Sequence, residues 1–421
     1  MSVPGTPAEP ADAVEVLPSV NDPPKNKFRL AACCFQNFLG GLTDSAPGAL
    51  IPYMETHYNI GYAVVSLIFI GNAFGFIMAA PFVDQIRHRL GRAKAIGLTQ
   101  VCMAIGYLLL ICAVPFPVVA IAYFFIGFGF AVQAAISNVF CANLRNSTTL
   151  LGYMHGSYGV GGAVGPIIAT SIVSTGALWS RYYLLTLGFA VFNVCFSSWA
   201  FSGYEKELEL RGNNNVLSET LSAGIDHVGA WLVAFKSRVV ILGAVFIFAY
   251  QGAEVSISGW VISFLIATRN GDPTAVGYVT SGFWAGITLG RFVLSPVGSR
   301  IGEKRFVYIL VVGAAVFQLL VWLVPNIIGE AVSLAIVGLL LGPVYPCAAV
   351  VFTRNLSRSE QVSGMGIISA FGSSGGAVAP FTTGILAQVA GTFVLHPIAI
   401  ALFAVMLVCW FGLPGVRKRT E

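Results

Sequence analysis

Gly161-Gly-Ala-Val-Gly-Pro166 recurs with one change as Gly375-Gly-Ala-Val-Ala-Pro380. Five of the six positions are identical, and the two segments lie 214 residues apart. A second pair, Arg89-Leu-Gly-Arg92 and Arg300-Ile-Gly-Glu303, repeats at a spacing of 211 residues. Two matches at nearly the same period indicate that the chain consists of two halves of similar structure.

The chain around these segments is strongly apolar. Of its 421 residues, 56% are hydrophobic and 10% are charged, and the mean hydropathy is +0.81. A soluble domain carries about 25% charged residues, so most of this surface must face lipid. The composition predicts an integral membrane protein rather than a water-soluble enzyme. It also predicts no nucleic-acid partner, because a net charge of +5 is too diffuse for a phosphate-binding stripe.

Twelve stretches of the sequence have the roughly 20 predominantly apolar residues that a membrane-spanning helix needs. We number them as spans 1 to 12: Phe28–Met54, Ala63–Phe82, Lys94–Val114, Val118–Ala142, Thr149–Val173, Arg181–Phe201, Val239–Ala267, Thr274–Val297, Phe306–Val324, Ala331–Phe352, Val362–Val389 and Phe393–Phe411. The sequence therefore predicts an all-α membrane protein of two pseudo-symmetric six-helix bundles, residues 28–201 and 237–411.

Polar segments flank and separate the two predicted bundles. Residues 1–27 are predicted to form a disordered tail, because they contain no apolar run. Residues 202–236 form a central loop, and residues 412–421 form a second tail. With both termini on one side, that side holds 20 of the 23 lysines and arginines, so the tails and the central loop are predicted to be cytoplasmic. Arg291 falls within span 8.

Neither the cysteines nor the glycine clusters indicate a cofactor. The eight cysteines show no CxxC or Cys/His spacing and are interpreted as small buried residues, so no metal site is predicted. The glycine cluster at 159–165 lacks the preceding strand of a dinucleotide loop and is interpreted as a helix-packing surface. No Walker lysine follows such a cluster, and ATP-driven transport is not expected.

The loop between spans 2 and 3 resembles the signature of a known family. Pro81-Phe-Val-Asp-Gln-Ile-Arg-His-Arg-Leu-Gly-Arg92 is similar, with a longer spacer, to the Asp-containing, Gly-Arg-ended motif of the major facilitator superfamily. The resemblance covers nearly the whole chain and implies a twelve-helix transporter that works by alternating access. It also implies a gating role for Asp84, Arg89 and Arg92. Alternatively, the arginines only set the topology.

Within that superfamily the sequence is similar to the fucose permease-like branch, including fungal sugar transporter-like members. The similar segments are 37–44 with Pro52, 250–254 with Gly259-Trp260, and Gly342-Pro-Val-Tyr-Pro346. This resemblance implies a hexose-type substrate, glucose-like or fucose-like. The bacterial pattern has a carboxylate in span 4, where this chain offers only the amides Gln133 and Asn138. This chain therefore lacks the span 4 carboxylate that a two-carboxylate proton relay of the bacterial kind would use.

Two carboxylates lie deep in the predicted spans, Asp44 in span 1 and Glu254 in span 7. Ionisable groups are costly inside a membrane and are functional candidates by default. A carboxyl group is neutral when enclosed and charged when open to water, which is the property that proton coupling requires. We predict that Asp44 and Glu254 are proton-coupling residues, with Asp44 as the principal site and Glu254 as a second site or an acceptor for a sugar hydroxyl. The alternative for each is a structural hydrogen bond between helices.

The predicted sugar-binding residues combine amides, which bind hydroxyl groups, with aromatic rings, which bind the apolar faces of a sugar. They are Gln36, Asn37, Gln133, Asn138, Tyr158, Gln251, Trp260, Trp284 and Tyr345. Each aromatic residue has the alternative of facing lipid. Gln133 and Asn138 are five residues apart and point in different directions on a helix, so at least one of them is predicted to be structural. His155 is interpreted either as a titratable group or as a packing residue.

The sequence favours a proton-coupled sugar symporter that acts as a monomer in the plasma membrane. Its partners would be a sugar, protons and the lipid bilayer, and it would have no enzymatic activity and no cofactor. Three alternatives stay open: a facilitative uniporter, a proton-driven exporter of a hydrophobic metabolite or drug, and a nontransporting sensor or scaffold. The short C-terminal tail disfavours the last of these.

Overall fold

The computed structural model of the chain describes residues 18–210, 237–356 and 358–414, and the secondary structure in these ranges is helical throughout. Residues 1–17, 211–236 and 415–421 of the predicted tails and loop lie outside the described residues. Residues 18–27 are ordered, although they were predicted to belong to a disordered tail. The Pro18 carbonyl oxygen accepts a hydrogen bond from the backbone N–H of Arg145 at 2.9 Å, and the first helix begins at Asn26.

Spans 1 to 6 form the first bundle. Their helices are Asn26–Tyr58 (span 1), Tyr62–Val65 and Leu67–Ala79 with the 3-10 turn Ala80–Phe82 (span 2), Val83–Ile111 (span 3), Phe116–Ala142 (span 4), Ser147–Ser174 (span 5), and the turn Trp179–Arg181 with Tyr182–Phe201 (span 6). A short helix, Tyr204–Leu210, lies within the predicted central loop.

Spans 7 to 12 form the second bundle. Their helices are Arg238–Arg269 (span 7), Pro273–Val276, Val279–Val293 and Ser295–Ile301 (span 8), Glu303–Leu323 (span 9), Ile327–Leu341 and Val344–Asn355 (span 10), Arg358–Ala390 (span 11), and the turn Thr392–Val394 with Leu395–Gly412 (span 12). Every predicted span thus coincides with a helix or an interrupted helix, which is consistent with twelve crossings.

By length and composition alone, nine helices of the described ranges are apolar enough to cross a membrane. The three predicted spans that fall short are spans 1, 8 and 11, which hold polar residues or runs of glycine and serine. These same spans take part in the contacts between the two bundles, where span 1 meets span 7, span 2 meets span 11, and span 5 meets span 8. Their lower apolarity follows, because they face protein and the space between the bundles rather than lipid.

The repeated glycine segments make equivalent contacts in the two bundles. A Cβ atom at Gly161 of span 5 would overlap the backbone of Phe38 in span 1, and one at Gly375 of span 11 would overlap the backbone of Phe248 in span 7. The loop repeat is equivalent too, because Gly91 and Gly302 both have a positive φ, 72° and 96°, a conformation that favours glycine. Both repeats found in the sequence therefore correspond to repeated structure.

The prediction that the cysteines are buried is correct for half of them. Cys33, Cys141, Cys347 and Cys409 are buried, whereas Cys34 and Cys102 are half-buried. It is wrong for Cys112 and Cys195, which are exposed. The reason is that an apolar membrane helix has an outward face as well as a packed one, and residues of both faces are apolar.

Two glycines of span 8 allow a matched test of close helix packing. A Cβ at Gly286 would overlap the backbone of Ala335 and Leu339 in span 10, whereas one at Gly282 would make an ordinary contact with the Ala335 side chain. We expect Gly286→Ala to lower the unfolding temperature of the purified protein, measured by tryptophan fluorescence in detergent. Gly282→Ala should leave it unchanged or raise it, because alanine is favoured over glycine inside a helix by about 0.5–1 kcal/mol. Equal losses in the two variants would contradict this packing.

Candidate functional site

The two bundles are closed against each other at one end. We call the end that holds the loop between spans 2 and 3 the inner end, and the opposite one the outer end. At the outer end, the Trp260 indole Nε1 donates to the Pro380 carbonyl oxygen at 2.8 Å. The Trp260 ring lies 5.7 Å from that of Tyr62 and 6.3 Å from that of Phe69, between ring centroids. We call these four residues the outer seal.

Glycines allow the backbones to approach closely at the outer seal. Gly48 of span 1 lies against the Ser258 carbonyl of span 7, and Gly384 of span 11 lies against Ser66 of span 2 and the Trp260 ring, and neither glycine leaves room for a Cβ. Trp260, predicted as a sugar-binding residue, is 1% exposed and belongs to this seal rather than to the central group described next.

Asp44 and Tyr158 form the first part of that central group. Asp44 lies midway along span 1 and is partly exposed. Its Oδ2 accepts a hydrogen bond from the Tyr158 hydroxyl of span 5 at 2.9 Å. The Tyr158 ring stacks on Phe130 at 6.2 Å and meets the Trp284 ring edge-on at 6.1 Å. Because Trp284 belongs to span 8, Tyr158 connects the carboxylate of the first bundle to the second bundle.

Glu254 and Arg291 form the second part. Glu254, midway along span 7, is 7% exposed and interacts electrostatically with Arg291 of span 8 and with Tyr250, one turn earlier on its own helix. The Tyr345 ring lies 6.1 Å from the Tyr250 ring. This arrangement brings the predicted residues Glu254 and Tyr345 together with two residues that the sequence analysis did not assign, Tyr250 and Arg291.

Three buried polar atoms in this part have no hydrogen-bond partner of good geometry within the described residues. They are Glu254 Oε2, the Tyr250 hydroxyl and Trp284 Nε1. A carboxylate accepts, an indole N–H donates and a phenol does both. Buried polar groups are rarely left unpaired, so these atoms are available to bond to a polar ligand or to water.

Tyr158 is hydrogen-bonded to Asp44, and the charges of Glu254 and Arg291 also act on its hydroxyl. Arg291 is a cation within an apolar span, and such groups mark functional sites by default. The signal for it was present in the sequence, but the count of basic residues addressed only topology. We call Asp44, Tyr158, Glu254 and Arg291 the charge cluster.

Two predicted amides are engaged inside the first bundle. Gln36 donates to the Ser197 hydroxyl at 2.7 Å and accepts from the Ser137 hydroxyl at 3.0 Å, which joins spans 1, 4 and 6. Gln133 accepts from Gln100, which joins spans 3 and 4. Both predicted residues are fully buried, and the structure does not bring either of them to the charge cluster.

The other three predicted amides differ in exposure. Asn37 is 3% exposed and donates to the Cys33 carbonyl oxygen of its own helix at 2.9 Å. Asn138 is half-buried. Gln251 is half-buried, and its side chain lies beside Gly372 of span 11, where a Cβ would meet its amide oxygen. Gln251 is the amide closest in sequence to Tyr250 and Glu254.

Comparison with known proteins places the chain in a family. The sequence profile of the Major Facilitator Superfamily matches residues 33–268 and 251–421. The chain belongs to this superfamily. "Bypass of stop codon protein 6" of Saccharomyces cerevisiae is 25% identical over 427 residues, which cover 94% of this chain and 84% of that protein. A "Glucose/galactose transporter" of Brucella abortus is 24% identical over 419 residues, covering 93% and 95%.

A solved structure of a D-xylose-proton symporter confirms the major facilitator fold. It matches with a TM-score of 0.73 at 12% identity and covers 94% of this chain and 98% of its own. The predicted superfamily membership, the all-α membrane fold and the absence of enzymatic activity in this family are thereby confirmed.

The superfamily signature loop is fastened within the first bundle. The Arg29 guanidinium donates two hydrogen bonds to the Glu207 carboxylate, at 2.7 and 3.0 Å. Glu205 accepts from the backbone N–H of Arg92 at 2.7 Å. The Arg29 and Arg92 guanidinium groups lie 4.7 and 4.4 Å from the ring centroid of Tyr204. Arg92 is therefore held by the short helix that follows span 6.

The structure gives no contact of the other two predicted gating residues, Asp84 and Arg89, with this network. Arg89 is exposed, and the side chain of Asp84 lies outside the described part of the chain. The gating role of all three residues stays a prediction.

A disulfide beside the outer seal, between the first and second bundles, tests whether the outer end must open during transport. The Gln388 side chain of span 11 fills the space where a Cβ at Gly61, before span 2, would lie. We expect the variant Gly61→Cys/Gln388→Cys, with Cys112 and Cys195 replaced by serine, to lose transport under oxidation and to regain it on reduction. Each single cysteine variant is the control. Transport that continues through the oxidised pair would contradict an outer end that opens.

Proposed function

We propose that the protein is a symporter that moves a hexose-type sugar, glucose-like or fucose-like, together with protons. The observation that carries the proposal is the partly exposed carboxylate of Asp44, bonded to Tyr158 where the two bundles meet. The names of two similar proteins, a glucose/galactose transporter and a D-xylose-proton symporter, support the substrate class and the coupling ion.

The second bundle supplies the groups for sugar binding. Glu254 Oε2, the Tyr250 hydroxyl and Trp284 Nε1 lack good partners and provide acceptors and donors that match adjacent sugar hydroxyls. The half-buried ring of Tyr345 and the half-buried amide of Gln251 lie nearby in the same bundle. An aromatic ring covers the apolar face of a sugar, and the amide bonds to one more hydroxyl.

Asp44 supplies proton coupling in this proposal. Its ionised form accepts the hydrogen bond from Tyr158, and its protonated form carries no charge into the closed protein. Coupling follows because proton and sugar both favour the closed state of the same site.

The unpartnered polar atoms favour a sugar over a hydrophobic export substrate. An apolar metabolite would leave Glu254 Oε2, the Tyr250 hydroxyl and Trp284 Nε1 without partners, at a cost of about 1–3 kcal/mol each. A uniporter differs only in lacking coupling to protons. We further propose a monomer in the plasma membrane, with both termini and the loop at 202–236 in the cytoplasm.

Accumulation of labelled hexoses in liposomes with an inward proton gradient tests the proposal. The wild-type protein should concentrate one of the sugars inside, and a protonophore should abolish the concentration. In Asp44→Asn, the sugar inside should reach but not exceed the outside level, because the proton carrier is gone. Undiminished accumulation by this variant would refute the role of Asp44.

Asp272→Asn is the matched control for the loss of a carboxylate. Asp272 lies in the outer loop before span 8, is exposed, and accepts a hydrogen bond from the Thr274 backbone N–H at 3.1 Å. The hydrogen bonds from Thr274 lower the pKa of the Asp272 carboxyl, so it carries no proton at neutral pH. Asparagine preserves this helix cap, and the control should accumulate sugar as the wild type does.

A further inference from the structure

The outward face of the first bundle carries a continuous row of aromatic rings near the inner end. Phe28 and Phe35 of span 1 contribute two rings, and Phe192, Phe196 and Trp199 of span 6 contribute three. Phe196 is half-buried, and the other four residues are between 37% and 49% exposed. Adjacent ring centroids lie 5.1 to 6.0 Å apart. We call these five residues the aromatic strip.

The aromatic strip joins the two helices along the depth of one leaflet. On span 6, the rings of Phe192, Phe196 and Trp199 stack in succession, with interplanar angles of 16° and 28°. Phe28 and Phe35 of span 1 meet this stack edge-on, at 66° and 78°. From Phe28 to Phe35 a helix rises by about 10 Å, and one leaflet contributes about 15 Å of hydrocarbon. The strip therefore offers one lipid molecule a surface of matching length.

Two lysines lie at the inner end of the aromatic strip. The Lys25 Nζ is 5.9 Å from the centroid of the Trp199 ring, and the Lys27 Nζ is 5.0 Å from that of the Phe28 ring. Lys25 also donates to the Ser202 hydroxyl at 2.9 Å, directly after span 6. Within the ranges that the structure describes, neither lysine forms an ion pair with a carboxylate. Two positive charges thus lie uncompensated at the end of an apolar surface.

The acidic residues of the short helix after span 6 do not supply the missing anion. Glu207 accepts its hydrogen bonds from Arg29, whose side chain is fully buried. Glu205 accepts from the backbone N–H of Arg92. Both carboxylates are therefore engaged inside the first bundle. Anionic headgroups are the negative charges that a membrane itself brings to basic residues at the end of a span.

The second bundle has no aromatic strip at the equivalent positions. Spans 1 and 7 correspond at an interval of 210 residues, because Phe38 and Phe248 make the equivalent glycine contacts. Spans 6 and 12 correspond at an interval of 213, because their helices begin at Tyr182 and Leu395, each after a 3-10 turn. The corresponding pairs are Phe35 and Val245, Phe192 and Val405, and Trp199 and Gly412.

This difference shows that the fold does not require the rings. Val245 and Val405 are 37% and 38% exposed, so the equivalent face of the second bundle points outward too, with aliphatic side chains. Contact with lipid chains alone is therefore satisfied without aromatic residues. Aromatic rings differ from aliphatic side chains in attracting cations to their faces, and here they hold two ammonium groups at the end of the strip.

We propose that the aromatic strip, together with Lys25 and Lys27, is a binding site for one anionic phospholipid of the leaflet at the inner end. The two ammonium groups bind the negative headgroup, and the acyl chains lie along the rings. The lipid thereby fastens span 1 to span 6. With the termini in the cytoplasm, as proposed above, this leaflet is the one rich in anionic lipid. The inference depends neither on the transported solute nor on its coupling to protons.

Quenching of Trp199 fluorescence by brominated lipid tests the site, because bromine quenches an indole only at close range. Two sets of vesicles contain the same mixture of phosphatidylserine and phosphatidylcholine and the same amount of bromine. The bromine is on the phosphatidylserine chains in one set and on the phosphatidylcholine chains in the other. The chain has seven tryptophans, so the signal of Trp199 is the difference between the wild type and Trp199→Phe, which keeps an aromatic ring.

We expect brominated phosphatidylserine to quench Trp199 at least about threefold more strongly than brominated phosphatidylcholine, because each lysine near the surface favours an anionic lipid severalfold. The variant Lys25→Gln/Lys27→Gln should quench equally with both lipids. The matched control, Lys94→Gln/Lys206→Gln, removes the same charge from two exposed lysines outside the strip. This control should keep the wild-type preference.

Three results would overturn the proposal. Equal quenching of the wild type by both lipids would leave the strip as a general lipid-facing surface. A preference that survives the loss of Lys25 and Lys27, or that disappears equally in the control, would remove the specific role of these lysines. Displacement of brominated phosphatidylserine by added sterol would assign the strip to a sterol. Should the double variant fail to fold, Lys27→Gln alone should reduce the preference, since only Lys25 bonds to Ser202.

Discussion

Charge enclosed in a medium of low polarity is the constraint that shapes this protein. Asp44, Glu254 and Arg291 come from three helices, and Asp44 is hydrogen-bonded to Tyr158 of a fourth. None of these side chains is stable facing lipid, so spans 1, 7 and 8 must turn them toward the space between the bundles. Tyr158 contacts both bundles there, because it bonds to Asp44 of the first bundle and packs against Trp284 of the second.

Close contacts at glycines allow the two bundles to close the space between them at the outer end. Gly48 and Gly384 bring helices of opposite bundles together at the outer seal, where the Trp260 ring packs against Tyr62 and Phe69. Within each bundle, the repeated segments at Gly161 and Gly375 fasten span 5 to span 1 and span 11 to span 7. Each bundle is thus internally tight, whereas few hydrogen bonds join the two bundles among the residues that the structure describes. Related halves that rock about a central site are a common plan of secondary transporters.

The fold could be predicted from the sequence because its signals are local. A run of apolar residues identifies a span, and the repeats at Gly161 and Gly375 identify the two halves. Asp44 and Glu254 could also be singled out from the sequence, because each is a carboxylate within an apolar span, in the first helix of its half.

The rest of the site depends on which neighbour each helix face meets. Gln36 and Gln133 looked like sugar ligands, but they bond to Ser197, Ser137 and Gln100 inside the first bundle. Periodicity gives the face of a helix and not its neighbour, so this was beyond the sequence. Trp260 lies in the outer seal for the same reason. Arg291 was visible in the sequence, but there the basic residues were used only to assign the topology.

The central claim is that sugar and protons cross together through one site, and the flux of protons caused by sugar tests it most directly. In weakly buffered liposomes without an initial gradient, adding the transported hexose outside should make the external medium more alkaline, as protons enter with the sugar. The Asp44→Asn protein should admit sugar without this change of pH. Sugar entry through the wild-type protein with no movement of protons would contradict the account.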